Sequence, residues 1–217
     1  MQKTVLITGG SRGMGKATAE LFKNNGYEVL VPSRKEMDLE NPQSIEKYCA
    51  GIHHPIYAII NNAGINTIAP LDNLTDDIFE KMLQVNLKAP VSILRNLKEK
   101  MPTGRIVNIS SIWSVISKQG RGGYSAVKAA LNSITRTLAL ELAPNILINS
   151  VAPGFVNTEL TQQNNTEEEI KIIENQIPLL RLAETEEIAR VVFFLASEQN
   201  TYITGQTIIV DGGYVCK

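Results

Sequence analysis

Short β-branched runs alternate with helix-period segments along this 217-residue chain, and that alternation leaves few folds open. Residues 4–8, 28–31, 56–60, 105–109, 146–151 and 207–210 read as strands, while 16–25, 76–100, 124–143 and 186–197 read as helices. Strands joined through helices run parallel, and a parallel sheet needs helices over both of its faces. Ala58-Ile59-Ile60 and Ile106-Val107-Asn108-Ile109 are apolar almost throughout, as burial on both sides demands. The prediction is one α/β domain over residues 1–217, built on a doubly wound parallel sheet of the Rossmann-like kind.

In such a sheet, ligands bind beyond the carboxyl ends of the strands, where the strand order reverses. Thr8, Asn61, Ser111 and Pro153 each follow a predicted strand and should converge there. The first strand runs into Thr8-Gly9-Gly10-Ser11-Arg12-Gly13-Met14-Gly15 and then a helix, the arrangement that seats a pyrophosphate. Gly9 permits the tight turn, Gly13 lets the backbone approach phosphate, and Gly15 allows close helix packing.

Tyr124 and Lys128, four residues apart, share one face of a helix. Ser111 lies thirteen residues before the tyrosine, and that spacing favours it over Ser110 as a third polar group at the same spot. Lowering a phenol from about 10 to about 7 takes roughly 4 kcal/mol, which a cation at ~4 Å supplies at an effective dielectric near 20. Lys128 alone is thus expected to make Tyr124 a usable acid.

Plainer readings stand beside these. A Tyr/Lys pair at this spacing is common surface packing, and Asn86 alone reads as a solvent-facing helix residue. Trp113, the single tryptophan, either walls a substrate cleft or packs in the core. His53 and His54 lack an aligned carboxylate and read as surface residues. A net charge of −1 gives no footprint for nucleic acid. Cys49 and Cys216 have no metal-ligand spacing, so no metal is expected and a reduced, cytoplasmic setting is. No apolar run approaches the length of a membrane span, and no leader precedes the first strand. Residues 159–180, polar over 161–169, read as a lid.

Five motifs in order give the chain its resemblance to the short-chain dehydrogenase/reductases, over nearly its whole length. They are the Thr8 to Gly15 glycine loop, Asn61-Asn62-Ala63-Gly64, the Ser111/Tyr124/Lys128 set with Asn86, Pro153-Gly154-x-x-x-Thr158, and Asp211-Gly212-Gly213. Among these enzymes it is most similar to the 3-oxoacyl-carrier-protein reductases. The resemblance implies a carbonyl reductase in which Tyr124 donates the proton, Ser111 orients the carbonyl oxygen, Lys128 grips the nicotinamide ribose and Asn86 carries a water-mediated proton path. It places cofactor contacts at Gly9, Ser11, Arg12, Gly13, Met14, Gly15, Ser33, Arg34, Asp38, Leu39, Asn61, Ala63, Gly64, Tyr124, Lys128, Pro153, Gly154, Val156 and Thr158.

Where NAD-selecting relatives carry an acid at the end of the second strand, this chain has Ser33 followed by Arg34, with Arg12 nearby. Two cations and a hydroxyl suit a 2′-phosphate, so NADPH is expected, with NAD possible. Only Lys35, Glu36 and Met37 separate Arg34 from Asp38, too few for a parallel crossover. The family's third strand is therefore predicted to be missing or a stub, leaving six strands, with Asp38 reaching the adenine from a loop.

The substrate is expected to be a small or carrier-bound carbonyl compound. Pro102 and Asn145 stand where carrier-protein reductases present basic residues. Lys98, Lys100 and Arg105 could compensate, and a free ketone or a sugar remains an alternative. A dinucleotide-binding sensor without turnover is the rival reading. Apolar residues including Ile93, Leu97, Leu131, Ile134 and Leu138 on the two long helices suggest a homotetramer or homodimer.

Overall fold

The computed structural model describes residues 2–216, the side chains of Leu160 and Asn164 excepted. The strands are β1 (Thr4–Ile7), β2 (Glu28–Leu30), β3 (Ala58–Asn61), β4 (Gly104–Ile109), β5 (Ile146–Pro153) and β6 (Thr207–Val210). They form one six-stranded sheet in the order β2-β1-β3-β4-β5-β6, parallel throughout. Order reverses between β1 and β3, and the crevice described below opens at their carboxyl ends.

The helices are α1 (Gly13–Asn24), α2 (Pro42–Ala50), α3 (Asp76–Leu83), α4 (Ala89–Leu97), α5 (Gly122–Leu142), α6 (Glu159–Asn164), α7 (Glu167–Asn175) and α8 (Thr185–Ala196). Alternate strand residues feed two cores, as a pleated strand requires. Leu6, Ile59, Ile106 and Ile148 pack with Ile45, Ile93 and Leu97 beneath α2 and α4. Val5, Ile7, Ile60, Val107 and Val151 pack with Phe22, Val192 and Leu195 beneath α1 and α8.

The third strand is absent, as the spacing predicts. Residues after β2 turn at once, with the amides of Glu36 and Met37 donating to the Ser33 carbonyl, and β2 becomes the sheet edge. Helix α2 escapes the sequence reading because only Ile45 and Cys49 are buried on it, too few for a clear period. Its Asn41 cap and Pro42 at the first turn define it instead.

The predicted helix 76–100 is interrupted. A single π turn, Gln84–Lys88, separates α3 from α4 and rotates Asn86 inward to near-complete burial. The reading of Asn86 as solvent-facing is thereby corrected. The supposed lid also carries structure: α6 is capped by Thr158, and α7 opens with a capping box between Thr166 and Glu169. Ile93, Leu97 and Leu131, expected to serve an oligomer interface, are spent inside the subunit at 0–1% exposure.

Candidate active site

Turns after β1, β2 and β3 enclose a crevice of about 400 Å³. Its walls include Gly9, Ser11, Arg12, Gly13, Met14, Gly15, Ser33, Arg34, Asp38, Leu39, Ala63, Gly64 and Thr158. Gly9 and Gly13 have positive φ values of 65° and 52°. A Cβ on Gly9 would come within 2.9 Å of Ala63 Cα, whereas one on Gly13 meets nothing nearer than Thr158 Cγ2 at 3.6 Å. Gly9 thus closes the turn against β3's loop, and Gly13 keeps bare backbone at the crevice. No side chain caps α1, whose first turn holds no acid. Its free amides and partial positive charge fit a pyrophosphate.

Asn62, which the motif contains but which carried no role in the sequence reading, braces this cradle. Its side-chain amide donates to the Thr8 and Gly9 carbonyls at 3.0 Å each. Thr8 Oγ1 in turn accepts from the Asn62 and Ala63 amides at 3.1 and 3.0 Å. Asn61 points elsewhere: it is 4% exposed and donates to Asn108 Oδ1 at 2.8 Å, in a buried ladder that continues through Thr135 to Ser150. Strand alternation sends Asn61 and Asn62 to opposite sides, and Asn61 does not line the crevice.

Pro153, Gly154 and Val156 also lie outside the crevice wall. Pro153 ends β5, and Gly154 is pressed against the Asp211 turn, where a Cβ would sit 2.8 Å from Asp211 Cα. Val156 is buried and bridges to Ala183. Thr158 alone of that motif faces the crevice, capping α6 by accepting from the Thr161 amide at 3.2 Å.

At the end of the crevice beside β2, where adenosine is expected, the predicted phosphate-binding groups are already engaged. Glu36 accepts from the Ser33 amide at 2.8 Å and from its hydroxyl at 2.7 Å, which holds the Glu36 carboxyl below its usual range. Arg34 reaches Glu40 at 2.8 Å and Asp38 at 3.5 Å. Arg12, exposed at the rim, has no acid partner among the described residues.

At the other end, Lys128 is 3% exposed and donates to the Ile109 carbonyl at 2.7 Å. A Cβ on Gly64, in the crevice wall, would lie 3.5 Å from Lys128 Nζ and 2.7 Å from Asn86 Oδ1, so both groups stand directly behind that wall. Asn86 donates to the Ile65 and Met82 carbonyls at 3.0 and 2.9 Å and accepts from the Ile65 amide at 3.2 Å. Its side chain is committed to backbone and makes no bond to Lys128.

Tyr124 and Ser111 lie outside that crevice wall and stand side by side, close enough for the Ser111 hydroxyl to pull the phenol's pKa down. Ser111 Oγ also accepts from the Trp113 amide at 3.3 Å, while Ser110 turns away toward the Lys128 carbonyl. Lys128 Nζ stands 5.6 Å from the centre of the tyrosine ring. The electrostatics differ from the sequence expectation. Burial pushes the Tyr124 phenol up, against smaller downward pulls from the Ser111 hydroxyl and the Arg121 charge. Burial also pushes Lys128 down to about 8, which leaves it mostly protonated at neutral pH, and the shift of the phenol is set by burial rather than by the lysine. The phenol is held protonated at neutral pH.

An aromatic wall flanks this end. Trp113 meets Phe155 edge-on at 6.2 Å, and Phe155 meets Tyr214 at 5.1 Å. Arg121 stacks over Trp113 with its guanidinium carbon 5.5 Å from the ring centre.

The sequence matches the enoyl-(acyl carrier protein) reductase family over residues 35–215 and the short chain dehydrogenase family over 3–45. It is 37% identical to the 3-oxoacyl-[acyl-carrier-protein] reductase FabG of Aquifex aeolicus, over 97% of this chain and 96% of that one. With FabG of Thermotoga maritima it shares 33% identity over 98% of both chains. Among solved structures, ElxO with NADP bound superposes with a TM-score of 0.93 at 30% identity, and 4-hydroxyisoleucine dehydrogenase complexed with NADH with 0.94 at 28%, each over the full length of both chains. The chain belongs to the short-chain dehydrogenase/reductase family of nicotinamide-dependent oxidoreductases.

Proposed function

We propose that this protein reduces a ketone of the 3-oxoacyl kind to a secondary alcohol with NADPH. The observation that carries the reading is Ser111 beside a half-buried, protonated Tyr124, with Lys128 set behind the crevice wall at Gly64. When bound, the reduced nicotinamide supplies the hydride. Tyr124 donates its hydroxyl proton to the carbonyl oxygen, and Ser111 holds that oxygen by a hydrogen bond. Lys128, half-protonated near pH 8, binds ribose hydroxyls and returns a proton to the phenolate. Asn86 acts as a positioning residue, fixing the Ile65 backbone beside Lys128.

The preference for NADPH rests on Ser33 at the end of β2 and on Arg12 and Arg34 in the crevice wall. Arg34 must exchange part of its carboxylate contact for phosphate. A homodimer or homotetramer is inferred from apolar side chains left exposed on the subunit, Leu140 on α5, Phe194 on α8 and Ile209 on β6.

Steady-state oxidation of NADPH with a panel of β-ketoesters tests the reading. Tyr124→Phe is expected to lower kcat about a thousandfold while NADPH affinity is retained. Turnover unchanged in that variant, or no reduction of any carbonyl by a protein that binds NADPH tightly, overturns it. The second outcome is the one a sensor would give.

A further inference from the structure

Arg121 is the one charged side chain beside Tyr124 that the proposed mechanism leaves unused. It occupies the N-cap position of α5, one turn before Tyr124. Helical side chains lean toward the N-terminus, so the phenol lies over the turn that carries Arg121. The guanidinium is half-buried, and its only described side-chain contact is the face of Trp113. No carboxylate pairs with it among the described residues, and none of its five N–H donors meets an acceptor there.

A stack on an indole is worth about 0.5–1 kcal/mol at an exposed site and satisfies no donor. A half-buried guanidinium without a protein acceptor is placed to take an anion through charge-assisted forked bonds, which gain strength where solvent is partly excluded. Burial already pulls the Arg121 proton affinity down, and its charge reaches the Tyr124 phenol.

We propose that Arg121 is the specificity-determining residue of the site and takes a carboxylate on the substrate, so that the ketone reduced is a free oxo acid rather than a carrier-bound thioester. Side chains one turn apart are separated by about 5–6 Å at Cβ, which fits a carboxylate about one to three carbons from the carbonyl held by Tyr124. A 3-oxo acid meets that span; its thioester has no charge there. The cations that might greet a carrier protein are otherwise occupied. Lys100 donates to the Cys49 and Ile52 carbonyls at 2.8 and 2.6 Å, and Arg105 to the Asn200 and Gly104 carbonyls at 3.0 and 2.9 Å. Lys98 pairs with Glu99.

This inference rests on the reductase reading, and Trp113 separates the two. As the single tryptophan, stacked under Arg121, it reports binding without turnover. The full chain, saturated with NADP, is titrated with acetoacetate, levulinate and their methyl esters while Trp113 fluorescence is followed. A saturable change with the acids is expected, roughly ten- to a hundredfold weaker in Arg121→Gln, which is the range for a hydrogen-bonded charge. In turnover, the acid-to-ester ratio of kcat/KM should fall by the same factor. Acids and esters binding alike in the native protein, or acid binding unmoved by R121Q, overturns the proposal. Should R121Q fail to fold, Arg121→Lys carries the test: it keeps the charge and loses the fork, so acid affinity drops less than tenfold while ester affinity stays. Equal losses for acid and ester in R121K overturn it. Full activity in Tyr124→Phe would sink the reductase reading alone, leaving the fluorescence result to stand or fall by itself.

Discussion

Two arginines, Arg34 in the crevice wall and Arg121 beside Tyr124, have opposite surroundings. Arg34, near the adenosine end, is 70% exposed at its side chain and sits between Glu40 and Asp38. Arg121, beside the proposed proton donor, is half-buried with no acid partner among the described residues. Position along the chain singles out Arg34, because it follows β2 where relatives choose their dinucleotide. Position says nothing about Arg121. What decides a cation's availability is the set of acids the fold brings to it, and those acids lie in turns whose geometry only the structure gives.

Substitutions at the two ends should differ by orders of magnitude. The largest effect belongs to the chemical end: Ser111→Ala is expected to lower kcat by roughly a hundredfold or more with nucleotide affinity unchanged, measured by single-turnover NADPH oxidation. A loss confined to KM would show that Ser111 only packs against Trp113.

Lys128 sharpens the contrast because its burial opposes stability. With its folded value near 8 against 10.5 for the free side chain, the unfolded chain binds more protons between those limits. Stability should therefore rise with pH from about 8 toward 10.5, and the penalty should be fully present below 8. The shift is worth about 3 kcal/mol, offset by about 1 kcal/mol for the bond to the Ile109 carbonyl. Lys128→Met should thus raise Tm by roughly 4–8 °C at neutral pH, flatten that alkaline rise and remove turnover. A lowered Tm across the whole pH range would contradict this.

The smallest effects are expected at the adenosine end, where exposed ion pairs are worth under about 1 kcal/mol. Glu40→Gln frees Arg34 and should raise the NADPH-to-NADH ratio of kcat/KM by less than tenfold, and Arg34→Gln should lower it by a similar factor. A change beyond tenfold would mean that the two ends are more alike than their burial suggests.

The parallel sheet and the missing third strand were legible in the sequence because they follow from apolar alternation and from loop length, which are local; the strand order was not, because pairing across the sheet is long-range. The glycine cradle was legible for the same reason. Asn61 and Asn62 were not separable, since adjacent residues of a strand end differ only in the side they face. The direction of the Tyr124 shift was misjudged because a Coulomb argument from spacing omits desolvation, which outweighs the neighbouring charges at the phenol. Helix α2 and the inward face of Asn86 depend on a cap and on a π turn, neither of which a 3.6-residue period reveals.

That π turn amounts to one residue more than regular winding would hold. Excising Gln84 or Val85 would restore an unbroken helix, and everything after the cut would then rotate by about 100° relative to α3. Asn86 would be carried off the Ile65 backbone, and Ile93 and Leu97 would leave the sheet. The surplus residue is thus a phase adjuster: it lets one rod press two differently aimed faces onto the same body, and it cannot be trimmed without choosing between them.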